Sequence, residues 1–173
     1  MRADLDMYAR PLLAGFPDTA ALVGLCDHNR MRLVAANQIL GTDLPLFTDV
    51  GEALAALDPD GVIVCIQDHT HAEFIVKALD TGKRVYCEKP LCTTAGQCRQ
   101  IVAAAARSAG DVFVTHNMRY PPTEQKLKEL VAGGKIGRPL SLEFTESLDR
   151  SHGANFFRHW RAPVLQPQRR PAG

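Results

Sequence analysis

The sequence predicts an α/β protein with a doubly wound parallel sheet. Short apolar runs alternate with stretches of helical periodicity up to about residue 115, which is typical of successive β-α-β units. The runs at 62–66 and 112–114 are apolar throughout, as expected of strands that helices cover on both faces. Glycines at 82 and 110 follow two helical stretches, where a left-handed residue would end a helix.

The expected elements follow in order along the chain. Strands are predicted at four places: 20–26, 61–66, 84–87 and 112–115. Helices are predicted at 8–16, 29–40, 70–80 and 94–109. Beyond Tyr120 the pattern changes to a helix at about 123–132 and then to alternating apolar and polar residues at 140–145, which indicate a half-exposed strand.

This change of pattern predicts a domain boundary. Residues 1–118 are expected to form one α/β domain, residues 119–160 to begin a second α/β domain, and residues 161–173 to be unstructured. Dinucleotide-binding folds have a glycine-rich phosphate loop about 20 residues before the acidic residue that binds the ribose. If that residue is Asp27, the loop would fall so close to residue 1 that no first strand fits before it. We therefore expect that strand to be missing, and we hypothesise a reading-frame shift near Trp160.

The composition excludes several classes of protein. Of the 173 residues 46% are hydrophobic and 23% charged, and the formal net charge of +1 provides no footprint for nucleic acid. No apolar run reaches the roughly 20 residues of a membrane helix, and the chain does not begin like a signal peptide. The five cysteines contain no Cys-x-x-Cys pair, so no disulfide framework is indicated. We expect a cytoplasmic protein with a small-molecule partner.

Asp27 directly follows the first predicted strand, where dinucleotide-binding folds place a carboxylate that accepts hydrogen bonds from a ribose. Its charge would repel a ribose 2′-phosphate, so NAD is predicted over NADP. The alternative is that Asp27 caps the helix starting near Asn29.

Glu88, Lys89 and Pro90 follow another strand at its carboxyl end, where ligands bind in open α/β sheets. A lysine there can hold a substrate oxygen and stabilise negative charge that develops on it. Glu88 could orient the ammonium group, and the proline fixes the turn. The alternative is a surface ion pair of little energetic value.

Two further clusters are candidates. Asp68 and His71 lie where the 61–66 strand leads into a helix. The spacing of His69 and His71 would also suit a metal site, but no further ligand at a suitable spacing completes a zinc site. Polar residues also follow the 112–115 strand, where they face substrate or merely form a hinge. They are His116, Asn117, Arg119 and Tyr120, with weaker candidates at His152, Arg158, His159 and Trp160.

These motifs resemble the group of glucose-fructose oxidoreductase, inositol dehydrogenase and MocA. The signature is Glu-Lys-Pro at 88–90, with Asp60, His71 and the Gly-Lys pair at 82–83 in step. The resemblance extends over about residues 7–160 through His-Asn-Met-Arg-Tyr at 116–120, Lys-Ile-Gly at 135–137 and the segment 152–158.

The resemblance implies a Rossmann domain that holds NAD or NADP, followed by an α/β domain, with hydride transfer to or from a secondary hydroxyl of a sugar or polyol. It implies that Lys89 positions the reacting hydroxyl, that Glu88 lies near the nicotinamide ribose and that full-length relatives form homo-oligomers. Cofactor contacts are implied at Asp27, Ile66, Asp68, His71, Glu88 and Lys89.

The sequence departs from this group at three places. Ile-Gln-Asp at 66–68 stands where the group has Thr-Pro-Asn or a similar triplet, and neither the glycine fingerprint nor the later aspartate-to-histidine segment is present. We therefore expect little or no activity from these residues alone. The alternative class is a non-catalytic nucleotide-binding or regulatory module.

Overall fold

The computed structural model describes residues 5–147, and the predicted tail at 161–173 lies outside them. A π-helix at Leu5–Ala9 opens this part of the chain. The α-helices are α1 Arg10–Gly15, α2 Arg30–Leu40, α3 Val50–Leu57, α4 His71–Asp80, α5 Ala95–Arg107 and α6 Pro122–Ala132. The strands are β1 Leu25–Cys26, β2 Leu46–Phe47, β3 Gly61–Val64, β4 Arg84–Cys87 and β5 Val112–Val114. Short 3-10 turns lie at Asp68–Thr70 and Asn117–Arg119.

All described strand pairs are parallel, which confirms the predicted fold class. β1 pairs with β2, and a separate three-stranded sheet has the order β3-β4-β5. In this second sheet Cys87 at the end of β4 is in register with Val64 on one side and with Val114 on the other. The carboxyl ends of three strands therefore meet at one edge.

The main core lies between the β3-β4-β5 sheet and the helices α4 and α5. Val85 and Cys87 of β4 point into it and are fully buried, together with Ile75 and Leu79 of α4. Because side chains alternate along a strand, Tyr86 points to the opposite face. There it is 37% exposed and stacks on Phe113, which is 48% exposed, with ring centroids 5.5 Å apart. The prediction that helices cover both faces is thus wrong for β5 within the described residues.

Gly82 and Gly110, which lie between α4 and β5, have different structural roles. Gly82 has a φ of 74° and ends α4, as predicted, because only glycine enters this left-handed region without strain. Gly110 does not have a positive φ, so the same prediction was wrong there. A Cβ at Gly110 would lie 2.2 Å from the carbonyl oxygen of Lys83, so its role is to let two backbone segments approach closely.

Other differences have local causes. β2 and α3 were not predicted, although Asp49 accepts a hydrogen bond from the Glu52 N–H, as an Asp-x-x-Glu capping sequence indicates. The predicted strand at 140–145 is not formed within the described residues. Its apolar residues Leu140, Leu142 and Phe144 are 85%, 88% and 76% exposed. A strand needs a partner for its backbone groups, and an alternating pattern does not supply one.

None of the helices in residues 5–147 combines the length and the apolar character that crossing a bilayer requires.

Candidate functional site

The candidate site lies at the carboxyl edge of the β3-β4-β5 sheet. Residues 65–70 follow β3 and residues 88–94 follow β4, and we name these the β3 loop and the β4 loop. The β3 loop leads into α4 and the β4 loop into α5, so both loops run from a buried strand to a helix N-terminus. In open α/β sheets this edge is where ligands bind.

His71 joins the two loops. It is the first residue of α4, and its side chain is fully buried. Its Nδ1 lies 2.8 Å from the carbonyl oxygen of Pro90 in the β4 loop, and its Nε2 lies 3.1 Å from that of Ile66 in the β3 loop. Each ring nitrogen therefore faces a main-chain carbonyl oxygen, and a neutral imidazole donates its N–H to one of them.

Gln97 of α5 joins the same loops at a second point. Its Nε2 donates to the carbonyl oxygen of His69 at 2.7 Å. Its Oε1 accepts from the backbone N–H and the hydroxyl of Thr93, both at 3.0 Å. Thr94 caps α5 by accepting from the Gln97 N–H, so the helix terminus itself holds the amide in place.

The Glu88 carboxylate is held by three donors. Its Oε1 accepts from the Tyr8 hydroxyl and from Thr115 Oγ1 at 3.3 Å, and its Oε2 accepts from the Lys89 N–H at 3.0 Å. Burial, followed by the hydrogen bond to Glu88, holds the pKa of Tyr8 well above its usual 10.0. The tyrosine is therefore a hydrogen-bond donor throughout the ordinary pH range.

Lys89 is exposed at the end of β4. Among the ion pairs of the described residues, none joins the Lys89 ammonium to Glu88, so the structure does not place the two side chains in the pairing that the sequence suggested. Glu88 is bound by neutral donors, and Lys89 is left accessible. A cation beside a fixed carboxylate, at an edge open to solvent, can bind an oxygen atom of a ligand.

Asp27 lies at the carboxyl end of β1 and does not cap α2, because the N-cap is Asn29. Asp27 Oδ1 accepts from the Asn29 N–H at 2.8 Å, and its Oδ2 lies 3.9 Å from the guanidinium of Arg32. The carboxylate borders a cavity of about 440 Å³ whose other walls are mainly apolar; they include Leu25, Leu33, Ile63, Ile66 and Phe74. The Arg32 guanidinium also lines this cavity. Mainly apolar walls with a carboxylate among them fit an adenosine, whose flat base is apolar and whose ribose donates hydrogen bonds.

The remaining predicted residues are distributed differently. Asp68 and His71 are buried, and Ile66 lines the Asp27 cavity. Three candidates for substrate contact, Asn117, Arg119 and Tyr120, are exposed in and after the 3-10 turn that follows β5. The four weaker candidates between His152 and Trp160 lie outside the described residues. Within residues 5–147 no group of three or more potential ligands is placed to hold a metal ion.

A larger cavity of about 660 Å³ lies at the other end of α4, beside Lys83. Two of its charged side chains form an ion pair: the Lys83 ammonium lies 2.5 Å from Asp58, and this contact lowers the pKa of the Asp58 carboxyl. This cavity is far along the strand from the Glu88 edge, at the amino end of β4. Size alone therefore does not make it the better candidate.

Sequence reasoning missed Tyr8, Gln97 and Thr115. Tyr8 and Thr115 stand 107 positions apart, yet their oxygens are 3.0 Å apart. Gln97 forms part of a local Thr-x-x-Gln capping sequence, which could have been noticed. No local sequence pattern predicts the contact between Tyr8 and Glu88.

Comparison with known proteins agrees with this geometry. Residues 5–116 match the model of an oxidoreductase family with an NAD-binding Rossmann fold. Inositol 2-dehydrogenase of Klebsiella pneumoniae is 33% identical over 138 residues, which cover 79% of this chain and 41% of that protein. Inositol 2-dehydrogenase 3 of Saccharopolyspora erythraea is 41% identical over 122 residues, or 70% of this chain and 36% of that protein.

A solved structure shares the fold. The WlbA dehydrogenase from Bordetella pertussis, crystallised in complex with NADH and UDP-GlcNAcA, superposes with a TM-score of 0.70 at 25% identity. The match covers 78% of this chain and 40% of that one. The chain thus spans about two fifths of the length of the curated relatives that it matches.

The role of His71 as the joint between the loops predicts a large effect of its removal. His71→Ala removes the ring N–H that binds a main-chain carbonyl oxygen and leaves a cavity between the two loops, which we expect to lower the free energy of unfolding by about 2–4 kcal/mol. His69→Ala is the matched control, since that side chain is exposed two positions earlier; we expect a change of about 0.5 kcal/mol or less. Chemical denaturation measures both, and equal effects of the two substitutions would contradict the assignment.

The buried Cys87 thiol should make the free energy of unfolding depend on pH. Burial, followed by the negative charge of Glu88, raises the pKa of its thiol from 9.0 to about 12. Because folding keeps the thiol protonated, its contribution to stability is complete below pH 9 and is lost as the pH rises towards 12. From this thiol we expect a slope of at most about 1.4 kcal/mol per pH unit, which Cys87→Ala removes. Tyr8, whose pKa is also raised, adds a loss of the same sign at higher pH.

Denaturant titrations between pH 8 and 11 measure this slope. Cys98→Ala, which removes an exposed thiol, is the control and is expected to keep the slope of the unsubstituted chain. If Cys87→Ala and Cys98→Ala lose stability with pH equally steeply, the buried thiol is not the cause.

Proposed function

This chain belongs to the oxidoreductase family with an NAD-binding Rossmann fold, and we propose that its residues serve hydride transfer between a nicotinamide cofactor and a secondary hydroxyl of a sugar or polyol. The observation that carries this proposal is that an exposed Lys89 side chain, not ion-paired with Glu88, follows a fixed Glu88 carboxylate at the carboxyl end of β4. The neighbouring β3 loop lines the Asp27 cavity with Ile66 and Gln67.

The proposed cofactor is NAD, whose nicotinamide ring supplies the hydride acceptor or donor when it is bound. Asp27 would accept hydrogen bonds from the adenosine ribose, and the apolar walls of its cavity would cover the base. The same carboxylate would repel a 2′-phosphate, which favours NAD over NADP. Of the predicted contacts, Ile66 supports this role directly because it lines the cavity.

Two buried residues are proposed to act indirectly. Asp68 is 5% exposed and His71 is fully buried, so in this arrangement neither presents its side chain to a ligand. His71 instead holds the loops that carry Ile66 and Lys89. We propose that its contribution to cofactor binding is this positioning.

Lys89 is proposed as the catalytic residue. Its ammonium would hold the oxygen of the reacting hydroxyl and stabilise the negative charge that develops there as the proton leaves. Asn117, Arg119 and Tyr120 are proposed to face the substrate, because they follow β5 at the same edge of the sheet.

The substrate class is supported by the names of similar proteins. Two relatives are inositol 2-dehydrogenases, and the WlbA dehydrogenase was crystallised with NADH and the sugar nucleotide UDP-GlcNAcA. These substrates share ring carbons that bear secondary hydroxyls. A small sugar or polyol is therefore the proposed partner of this chain.

NAD titration tests the proposal. A ligand that binds only the folded state raises the free energy of unfolding, by about 2.7 kcal/mol at a concentration 100 times its Kd. We expect this stabilisation for the unsubstituted chain. In Asp27→Asn we expect about tenfold weaker binding, since a charged acceptor for the ribose is lost. Asp18→Asn, at an exposed position, is the control.

A second arm follows NADH absorbance with myo-inositol as the substrate. Any hydride transfer is expected to depend on Lys89 and to be absent in Lys89→Met. Stabilisation by NAD without hydride transfer would favour a non-catalytic nucleotide-binding module. No stabilisation by NAD, or equal stabilisation of Asp27→Asn, would contradict the proposed cofactor site.

A further inference from the structure

We propose that Tyr8 is a positioning residue, which holds the Glu88 carboxylate in the orientation that receives the nicotinamide-ribose half of NAD. This inference rests on the proposed function and adds a residue to it. Tyr8 lies in the Leu5–Ala9 helix, before β1, whereas Glu88 follows β4. The contact between them links the first described helix to the candidate catalytic loop.

The contact is a hydrogen bond from a neutral donor to a charged acceptor. The Tyr8 hydroxyl donates to Glu88 Oε1, and its oxygen lies 3.0 Å from Thr115 Oγ1. Hydrogen bonds that involve one charged group are stronger than those between neutral groups. Tyr8 is half-buried, and burial keeps its hydroxyl protonated by raising its pKa.

Tyr8 is the donor that Thr115 cannot replace. The Thr115 hydroxyl has a single hydrogen and three acceptors nearby: the Cys87 carbonyl oxygen at 3.1 Å, Glu88 Oε1 at 3.3 Å and the Tyr8 oxygen. A hydroxyl donates to one acceptor at a time, so Thr115 is shared. The Tyr8 O–H is committed to Glu88.

In this orientation the Glu88 carboxylate can still accept a hydrogen bond from a ligand. A carboxylate offers about four lone-pair positions, and the described donors occupy at most two on Oε1 and one on Oε2. One position on Oε2, the oxygen next to the Lys89 backbone, is left to accept from a ribose hydroxyl. Without Tyr8, Glu88 would keep only the Lys89 N–H and the shared Thr115 hydroxyl, so more of its side-chain freedom would be lost when the cofactor binds.

Tyr8→Phe removes the hydroxyl and leaves the ring in place. We compare the Kd of NAD with that of ADP, which lacks the nicotinamide-ribose half, by calorimetry on the full chain. We expect the Kd of NAD to rise about tenfold, the magnitude of one hydrogen bond to a charged group, and that of ADP to change by about twofold or less. Tyr86→Phe is the matched control, because Tyr86 lies on the exposed sheet face and stacks on Phe113.

A rise in the Kd of NAD without a matching rise in the Kd of ADP is a result that a merely structural role of Tyr8 would not produce. Equal weakening of NAD and ADP, or no weakening of either, would overturn the inference. Thr115→Val is a second variant; because Thr115 is a shared donor, we expect the same direction with a smaller rise for NAD. Failure of the unsubstituted chain to bind NAD would overturn the proposed function, and the cofactor role of Tyr8 with it.

A double-mutant cycle tests the contact itself without any ligand. If Tyr8 acts through Glu88, Tyr8→Phe should change the unfolding equilibrium constant at least about threefold more in the unsubstituted chain than in Glu88→Ala, a coupling usual for hydrogen-bonded neighbours. The Tyr8→Phe effect on NAD affinity should likewise vanish in the Glu88→Ala background. Additive effects in both cycles would show that Tyr8 does not act through Glu88.

Discussion

The His71 ring between two backbone carbonyl oxygens is the contact on which the rest of the site depends. It joins the β3 loop at Ile66 to the β4 loop at Pro90, and it is fully buried. Leaving a buried carbonyl oxygen without its donor costs about 1–3 kcal/mol, whereas an exposed ion pair such as Arg107–Asp80 contributes about 0–1 kcal/mol. The buried ring, rather than the surface charges, therefore decides where the loops lie.

The site combines fixed and accessible groups on the same short loop. Glu88 is held by three donors, and Gln97 holds Thr93 at the far end of the loop, while Lys89 is exposed between them. The carboxylate is bound by neutral hydroxyl and amide donors and is not paired with the neighbouring lysine. The ammonium group is thus available to an oxygen atom of a ligand, which is the role proposed for it in hydride transfer.

The sequence predicted those parts of the structure that local patterns encode. Apolar runs and helical periodicity predicted the parallel strands, and position at a strand end identified Asp27 and Lys89 as candidates. Contacts between distant residues have no such pattern: Tyr8 is 80 positions from Glu88, and Gln97 is 28 from His69. The alternation at 140–145 was misleading for the same reason, because a strand requires a partner that local sequence does not specify. The capping sequence at Asp49 and Glu52 did contain the signal for α3.

NAD binding at the carboxyl ends of β1, β3 and β4 can be followed by an NMR titration of backbone amide shifts in the isotope-labelled chain. We expect shifts concentrated at Asp27, Gln67, Glu88 and Lys89, with little change around the Asp58 and Lys83 cavity. Shifts confined to that second cavity, or no shifts at saturating NAD, would contradict NAD binding at these strand ends.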